Sequence, residues 1–510
     1  MYYLNINNIG FGLLNIRINN MKQISLKKTR LMFAIAVILL LSSCIDGYMK
    51  DWTFSSGVTN TTLVSPDSTK VTFSKDVKGN LVVKWPVVYG AGGYQFTLYI
   101  VDDPNNPVAV GKENDVIDGC TVTRALQEDT KYKVVIKTLG NVKDNNKEAV
   151  LASTAHYSTL LPAYAVIPDG TDLFQYFSNT VIPDSTNELA YALVANGKYT
   201  LSGPIDFQKH WITLRGDKVF HPTVTYGNLG RLRTTAGFTL KYMDFDCNAM
   251  PADVTDAALL LLSANPDPAI LNSAHNSYYI IPKDIFFYKC NFNNINRRLI
   301  FDANVKYCLT NLVISDCKIA LNALNDASGA VIFLQAGFAN IFTIKNSTVW
   351  GNTATTGYFL RYNNSGRPDR AGFVSGSINF FNNTFDNVVK TGQMGNYNGM
   401  GTASSSSGST VYLNVSQNIF VDCGSQNVIR RLSAGANTMV KTLNNNCYWF
   451  DGAFPQVGEI DHTNGDKSGT GYGQDPAFAN VTTGDFTIGS SATTIISKQS
   501  GDPRWLPIAK

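Results

Sequence analysis

The strongest constraint on the fold of this 510-residue sequence is a six-residue pattern that recurs seven times. Each copy begins and ends with an apolar residue and usually carries a small residue, Asn or Cys at its fourth position. Successive copies end 47, 27, 30, 36, 35 and 28 residues apart. One copy cannot bury its apolar face alone, so this spacing predicts a solenoid of stacked coils. The copies occupy residues 240–245, 287–292, 314–319, 344–349, 380–385, 415–420 and 443–448.

The fourth residues of these copies are predicted to stack at one position of the solenoid. Asn side chains can hydrogen-bond along such a stack and hold a tight turn. We therefore interpret the stack as a structural ladder inside the solenoid. Its members are Met243, Cys290, Cys317, Ser347, Asn383, Asn418 and Asn446.

The segments before and after these copies indicate a particular kind of solenoid. Short strands, each followed by a Gly-based turn, come first, as in 189–193 and 211–216, and the chain finishes with the stretches 474–478 and 484–488. This order resembles the pectate-lyase-like right-handed parallel β-helix. The resemblance implies such a β-helix domain over residues 161–510.

Residues 61–160 show a different sequence pattern. Short runs of alternating apolar and polar residues are separated by residues that favour turns. About seven strands in a hundred residues is the spacing of a β-sandwich. The segment resembles a fibronectin type III module, with Trp85 on the second strand, Tyr94 opening the third and Tyr132 at the position of a tyrosine corner. We expect Trp85 and Tyr132 to be core residues and the module to be a spacer. The predicted fold class is all-β, a β-sandwich followed by a parallel β-helix.

The N-terminal sequence is typical of a targeting signal. Basic residues precede an apolar run, 31–41, which is too short to span a bilayer but suits a signal peptide. The Leu-Ser-Ser-Cys sequence ending at Cys44 resembles a bacterial lipobox, which implies acylation of Cys44 and a membrane anchor. The alternative is an ordinary secreted chain with an incidental cysteine. We assign residues 1–43 to a leader and signal peptide whose natural start is Met21, and 44–60 to a tether.

Charge supplies little overall attraction for any partner. Lys and Arg number 42 against 38 Asp and Glu, but five of the basic residues lie within 1–43, so the mature chain carries 37 against 38. With no long basic run, a nucleic-acid partner is not expected. Attraction for an anionic glycan would have to come from local placement of basic residues.

Several basic residues follow the repeated pattern at similar points of successive coils. Because coils stack, they could form one electropositive track suited to a polyuronate. The alternative is ordinary surface charges paired with neighbouring acids. The predicted substrate-binding residues are Arg297, Arg298, Arg361, Lys390, Arg430 and Arg431.

Proteins with this kind of β-helix commonly cleave acidic polysaccharides by β-elimination, which needs a base such as Arg and a group, often Ca²⁺, that neutralises the uronate carboxylate. The segment containing Arg367 and Arg370 is faintly similar to a catalytic segment of one pectate lyase family. Asp244 and Asp246 share a face of a strand and are the candidates for Ca²⁺, although no complete acidic cluster is visible. The paired carboxylates of an inverting glycosidase are disfavoured.

The whole arrangement resembles outer-membrane lipoproteins of Bacteroidota-type glycan-utilisation systems. The leading hypothesis is a lipid-anchored protein on the cell surface that binds an acidic, pectin-like polysaccharide and works with outer-membrane glycan-uptake proteins. The first alternative is a polysaccharide lyase with an Arg base. The second alternative is a structural surface protein.

Overall fold

The computed structural model describes residues 57–322, 329–351, 357–363, 368–397, 409–433 and 439–507. The predicted leader, Cys44 and most of the tether lie outside these ranges. The chain divides into two compact units, Met1–Leu160 and Leu161–Lys510.

The first unit is built from two antiparallel sheets. One has the order β1-β2-β6, and the other has the order β4-β3-β7-β8 with β5 also pairing with β3. The strands are β1 (Thr72–Lys75), β2 (Leu81–Lys84), β3 (Tyr94–Ile100), β4 (Val108–Ala109), β5 (Asp115–Ile117), β6 (Thr121–Arg124), β7 (Lys131–Thr138) and β8 (Ser153–Ser158).

The core of this unit is aromatic. Trp85 is buried, stacks on Phe96 with ring centroids 5.6 Å apart and meets the edge of Tyr94 at 5.5 Å. Tyr132 is also buried, and its hydroxyl accepts a 2.6 Å hydrogen bond from the backbone N–H of Gln127. The prediction that Trp85 and Tyr132 are core residues is confirmed.

The second unit consists mainly of short strands. In chain order they are β9 (Ala163–Ile167), β10 (Leu189–Leu193), β11 (Lys198–Leu201), β12 (Pro204–Asp206), β13 (Ile212–Arg215), β14 (Thr223–Tyr226), β15 (Arg231–Thr234), β16 (Phe238–Lys241), β17 (Asp244–Asp246), β18 (Ala258–Leu262), β19 (Leu271–Asn272), β20 (Tyr278–Ile281), β21 (Ile285–Tyr288), β22 (Asn291–Ile295), β23 (Arg298–Phe301), β24 (Tyr307–Ser315), β25 (Lys318–Leu321), β26 (Ala330–Leu334), β27 (Phe338–Lys345), β28 (Thr348–Gly351), β29 (Tyr358–Tyr362), β30 (Ser375–Phe381), β31 (Thr384–Asp386), β32 (Gln393–Tyr397), β33 (Thr410–Ser416), β34 (Ile419–Val421), β35 (Val440–Asn444) and β36 (Cys447–Trp449).

Helices in the described residues are short, and none is long and apolar enough to cross a membrane. The α-helices are α1 (Leu173–Ser178), α2 (Val428–Leu432) and α3 (Thr493–Lys498). A π-helical segment covers Gln456–Asp461, and 3₁₀ turns cover Ser68–Lys70, Pro268–Ile270, Pro368–Ala371, Gly424–Gln426, Val481–Thr483 and Pro503–Trp505.

The strands of the second unit form three long sheets whose successive members pair in parallel. Sheet A contains β9, β10, β13, β16, β21, β24, β27, β30, β33 and β35, with β19 and β20 attached. Sheet B contains β11, β14, β17, β22, β25, β28, β31, β34 and β36, and sheet C contains β12, β15, β18, β23, β26, β29 and β32. Each complete coil visits A, B and C in turn, so the unit is a right-handed parallel β-helix. The predicted all-β fold class with a parallel β-helix is confirmed.

The predicted ladder lies at the corner between sheets A and B. The backbone N–H of Asn418 donates to Oδ1 of Asn446 at 3.1 Å, and that of Asn383 donates to Oδ1 of Asn418 at 3.0 Å. The backbone N–H of Ser347 donates to Oδ1 of Asn383, and that of Cys317 donates to the Ser347 hydroxyl, both at 3.1 Å. The structural interpretation of these residues is confirmed.

The residue before each ladder position has the left-handed backbone conformation that turns the chain from sheet A into sheet B. Asn visits this conformation more readily than most residues, because its short polar side chain can hydrogen-bond locally. The seven φ angles lie between 48° and 58°, at Tyr242, Lys289, Asp316, Asn346, Asn382, Gln417 and Asn445.

The C-terminal segment lies on the outer face of sheet B. Asp502 is buried and pairs with Arg504, whose guanidinium also donates to the carbonyl of Cys317 at 2.8 Å. Phe486 packs against Trp350 with centroids 5.5 Å apart, so this tryptophan is buried beneath the segment. This part of sheet B is therefore closed to a large ligand.

Candidate functional site

The outer face of sheet C carries one continuous column of residues at the same register. Alternate residues of a strand point to opposite faces, and the neighbours of this column, such as Leu232 and Ile300, lie in the interior core. We call this set the outer column. From the N-terminal end it comprises Asp206, Arg233, Leu261, Phe301, Phe333, Arg361 and Asn396.

Two predicted binding residues meet at the middle of the outer column. The Arg298 guanidinium lies 4.6 Å from the ring centroid of Phe301 and 5.3 Å from that of Phe333. The Arg361 guanidinium lies 5.4 Å from Phe333 and 4.6 Å from Tyr358. The structure thus brings together arginines that are far apart in the sequence, in cation–π contacts with the same ring.

The middle of this face is largely closed to solvent. Phe301 and Phe333 stack at 5.7 Å and are only 3% and 5% exposed, and Arg298 is 3% exposed. Arg361 is half-buried, and its Nη2 donates to Oδ1 of Asn363 at 2.9 Å. Arg361 is therefore the more accessible cation of the pair.

The N-terminal part of the face contains an open cavity of about 520 Å³. Its walls come from β15 and from the loop between β17 and β18. Arg231 and Arg233, which Leu232 separates on β15, both line it. The other lining residues are Pro204, Asn228, Leu229, Ala249, Pro251, Val254 and Asp256.

The remaining predicted basic residues lie near the same side of the solenoid but differ in their contacts. Arg297 directly precedes β23 and donates to the carbonyl of Ala252 at 2.8 Å. Arg430 and Arg431 are half-buried on α2, which packs against β32. Their role in substrate binding stays a prediction.

Lys390 lies between sheets B and C and is already paired. Its ammonium is 2.7 Å from Asp451 and 3.1 Å from Asp422. The hydrogen bond to Asp451 raises the pKa of Lys390 above its usual value. Because two carboxylates neutralise it, Lys390 contributes less to a positive face than the sequence suggested.

The candidate catalytic arginines are placed as follows. Arg370 is half-buried in the 3₁₀ turn Pro368–Ala371, between β29 of sheet C and β30 of sheet A. It therefore lies at the corner between the two sheets and not on the outer column. Arg367 lies outside the described residues.

Asp244 and Asp246 lie on β17 of sheet B, where both carboxylates already accept hydrogen bonds. Oδ1 of Asp244 is 2.8 Å from Nδ1 of His221 and accepts from the Asn291 amide at 2.6 Å. Asp246 accepts from the Asn294 amide at 3.0 Å. Both carboxylates are occupied by N–H donors, and within the described ranges no third acid joins them to complete a ligand set, so the residues present do not fit a calcium site.

Elsewhere in the described part of the chain, no group of three or more His, Cys, Asp or Glu side chains is arranged to hold a metal ion. Asp302, another acid of the solenoid, is buried and accepts from the backbone N–H groups of Ala336 and Gly337 at 2.9 and 2.8 Å. Its carboxyl braces the turn from sheet C to sheet A.

Arg231 and Arg233 were not predicted from the sequence as binding residues. The predicted basic residues follow the repeated pattern at the corner between sheets A and B, and these two arginines precede that pattern. The first copy of that pattern begins only at residue 240. The available signal was the alternation Arg-Leu-Arg at 231–233, which places both arginines on one face of a strand.

Three protein families match successive parts of the chain, and each is described as a domain of unknown function. DUF4992 matches residues 19–196, DUF4957 matches residues 197–352 and DUF5123 matches residues 342–505. No curated protein matches the chain.

Among solved structures, the chain is similar to a mutant of AlyGC, a PL6 family alginate lyase, with 14% identity over 62% of this chain and a TM-score of 0.31. The chain spans 41% of that enzyme's length. It is also similar to the pectate lyase PelI of Erwinia chrysanthemi, with 11% identity over 79% of this chain and 99% of PelI, and a TM-score of 0.13. A Family 28 exopolygalacturonase of Yersinia enterocolitica shares 10% identity over 78% of this chain and 97% of its own, with a TM-score of 0.13.

Proposed function

We propose that this protein binds an acidic polysaccharide on the sheet C side of its β-helix. The observation that carries the proposal is the distribution of arginine. Of the ten arginines described in the solenoid, three lie elsewhere, at Arg215, Arg370 and Arg504. The other seven lie on or beside sheet C and the helix packed against it: Arg231, Arg233, Arg297, Arg298, Arg361, Arg430 and Arg431.

The chemistry of this face suits a polyuronate. A guanidinium pairs bidentately with a carboxylate and stays charged at any physiological pH. Since the mature chain has a net charge near zero, the attraction has to come from the partly exposed arginines of this face, such as Arg233 and Arg361, because Arg298 is buried and Arg231 is paired with Asp256.

The C-terminal segment covers part of sheet B, where Arg504 donates to the carbonyl of Cys317. The outer face of sheet A also carries basic residues, Arg215, Lys241 and Lys345, but they are fewer than the seven arginines on or beside sheet C.

We infer a lipid anchor at Cys44 and display on the outer membrane, which the basic and apolar signal before Cys44 supports. The first unit, a fibronectin type III-like sandwich, would act as a spacer between anchor and solenoid. Its two antiparallel sheets and the Tyr132–Gln127 hydrogen bond support this part of the proposal.

Affinity electrophoresis tests the binding function. The purified protein is run in gels containing polygalacturonate, alginate or neutral dextran, with and without Ca²⁺. We expect retardation by at least one acidic polymer, none by dextran, and weaker retardation for Arg361→Ala. The control is Lys345→Ala, which removes a positive charge from an exposed position at the end of β27 in sheet A.

The same polymers separate binding from cleavage. Ultraviolet absorbance of unsaturated chain ends is followed during incubation with the protein. We expect no rise, and a rise would show that the protein is a lyase. No retardation by any acidic polymer would overturn the proposed function.

A further inference from the structure

The cavity at the N-terminal end of sheet C has the size and wall chemistry of a small-ligand site. Its volume of about 520 Å³ falls in the usual range for such sites, about 300–1,000 Å³. Part of its rim is apolar and open, since Leu229 is 64% exposed and Val254 is 39% exposed. Exposed aliphatic side chains beside a concave surface offer contact to an apolar ring face.

One of the two arginines that line the cavity, Arg231, is bonded to neighbouring groups of the protein. Arg231 is buried, and its Nη1 donates to the Tyr226 hydroxyl at 2.6 Å. Its Nε donates to the carbonyl of Asp256 at 3.0 Å, and its Nη2 is 3.5 Å from that residue's carboxylate. Arg231 and Asp256 therefore neutralise each other and fix the wall of the cavity.

The other arginine is not satisfied by the protein. Within the described ranges, the Arg233 side chain makes no hydrogen bond or ion pair, and its Nε is buried without a partner. Its neighbour on the outer column, Asp206, already accepts from the hydroxyl of Ser263 at 2.7 Å and the backbone of Gln208 at 2.9 Å. Because the Arg233 side chain lines the cavity and is partly exposed, its terminal N–H groups are available to an anionic ligand there.

We propose that this cavity is a subsite for one unesterified uronate residue, whose carboxylate pairs with Arg233. The sugar ring then lies against Leu229 and Val254, where its C–H groups meet aliphatic carbon. A methyl ester has no negative charge and offers the guanidinium only a weaker hydrogen bond to its carbonyl, so the subsite selects free uronate over esterified uronate. This inference rests on the proposed function, because it names the chemical group that the sheet C face recognises.

The decisive experiment compares Arg233→Ala, Arg233→Lys and wild type by isothermal titration with two polygalacturonates, one unesterified and one highly methyl-esterified. We expect wild type to prefer the unesterified polymer and Arg233→Ala to bind it about tenfold to a hundredfold more weakly, with a smaller preference over the esterified polymer. Arg233→Lys should recover part of the affinity, because it keeps the charge but not the two-pronged geometry. Lys345→Ala, with one charge fewer on sheet A, should behave as wild type.

A second pair of variants does not depend on changing Arg233. Leu229 is exposed, so Leu229→Glu and Leu229→Gln should both fold. The Glu variant places a carboxylate at the rim and should weaken binding of the unesterified polymer more than the Gln variant does.

The outcomes separate this inference from the proposed function. If wild type binds acidic polymers, and neither the Arg233 nor the Leu229 variants change affinity or the preference for free uronate, the subsite is wrong while the function stands. If wild type binds no acidic polymer, both are wrong.

Discussion

Glu459 shows how much the environment of one residue can change its chemistry. It is 1% exposed in the π-helical segment Gln456–Asp461, and its carboxyl accepts from the backbone N–H groups of Val428 and Ile429 in α2. Burial raises its pKa to about 7, and the nearby Asp466 adds to the effect. The sequence around residue 459 gives no sign of burial, because the segment gains its cover only when it folds onto α2.

This pKa predicts a pH-dependent stability with a definite sign. Between 4.5, the usual pKa of a glutamate side chain, and about 7, the folded state holds a proton that the unfolded state has lost, so stability falls as pH rises through this window. Burial also raises the pKa of Asp302 and the pKa of Asp386, each to about 6, with the same sign. We expect the free energy of unfolding, measured by urea denaturation, to be larger at pH 5.5 than at pH 8.

The variant Glu459→Gln isolates the contribution of this carboxyl. The stability of the variant should fall less than that of wild type between pH 5.5 and pH 8, because the variant has no proton to lose, whereas the loss of one acceptor for the backbone N–H groups of α2 should lower its stability equally at both pH values. Glu148→Gln, at an exposed position of the first unit, is the control. Identical pH dependence in wild type and Glu459→Gln would contradict the interpretation.

At the scale of elements, the corner between sheets A and B has the same local structure in the seven coils that carry the six-residue pattern. A residue in the left-handed conformation is followed by a buried residue, and the side chains of Ser347, Asn383, Asn418 and Asn446 accept hydrogen bonds from the preceding coil. This regularity made the corner predictable, since the same six positions recur at each copy. The other corners are joined by segments of variable length and leave no common pattern.

Asn418→Ala should disrupt the ladder at a central rung. Oδ1 of Asn418 accepts two hydrogen bonds from Asn383, and its amide donates to the carbonyl of Phe380 at 2.9 Å. Buried partners left unsatisfied cost about 1–3 kcal/mol each, so we expect a loss of roughly 2–5 kcal/mol in the free energy of unfolding. Asn444→Ala, at an exposed position of β35, should cost less than about 0.5 kcal/mol. Equal effects from the two variants would argue against a structural ladder.

At the scale of the whole molecule, the two units have separate cores. The core of the first unit centres on Trp85 and Phe96, whereas that of the solenoid runs continuously along its interior. Units with their own cores can unfold independently.

Calorimetry of the intact protein should therefore show two transitions. Tyr132→Phe removes the hydroxyl that accepts from Gln127 and should lower the free energy of unfolding of the first unit by about 1–3 kcal/mol. Only the transition temperature of that unit should fall. Asn418→Ala should lower only the transition temperature of the solenoid. A single transition that both variants shift would show that the units unfold together.

The amino-acid sequence was sufficient for the features that depend on local, repeated chemistry. The all-β class, the stacked coils and the ladder follow from periods and turn residues, whereas the core positions of Trp85 and Tyr132 follow from the resemblance to a fibronectin type III module. The sequence also predicted Arg298 and Arg361 as binding residues. It did not predict how close their side chains lie to each other.

Tertiary packing decided which side chains share a surface and which are already occupied. Arg233 and Arg361 belong to one column because parallel pairing aligns strands that are distant in the chain. Lys390 is paired with two acids, whereas Arg233 has no partner in the described part of the chain, and no local pattern distinguishes them. The groups that pair with a basic side chain come from other coils. Whether its charge is neutralised is therefore decided by the packing of the solenoid and not by the local sequence.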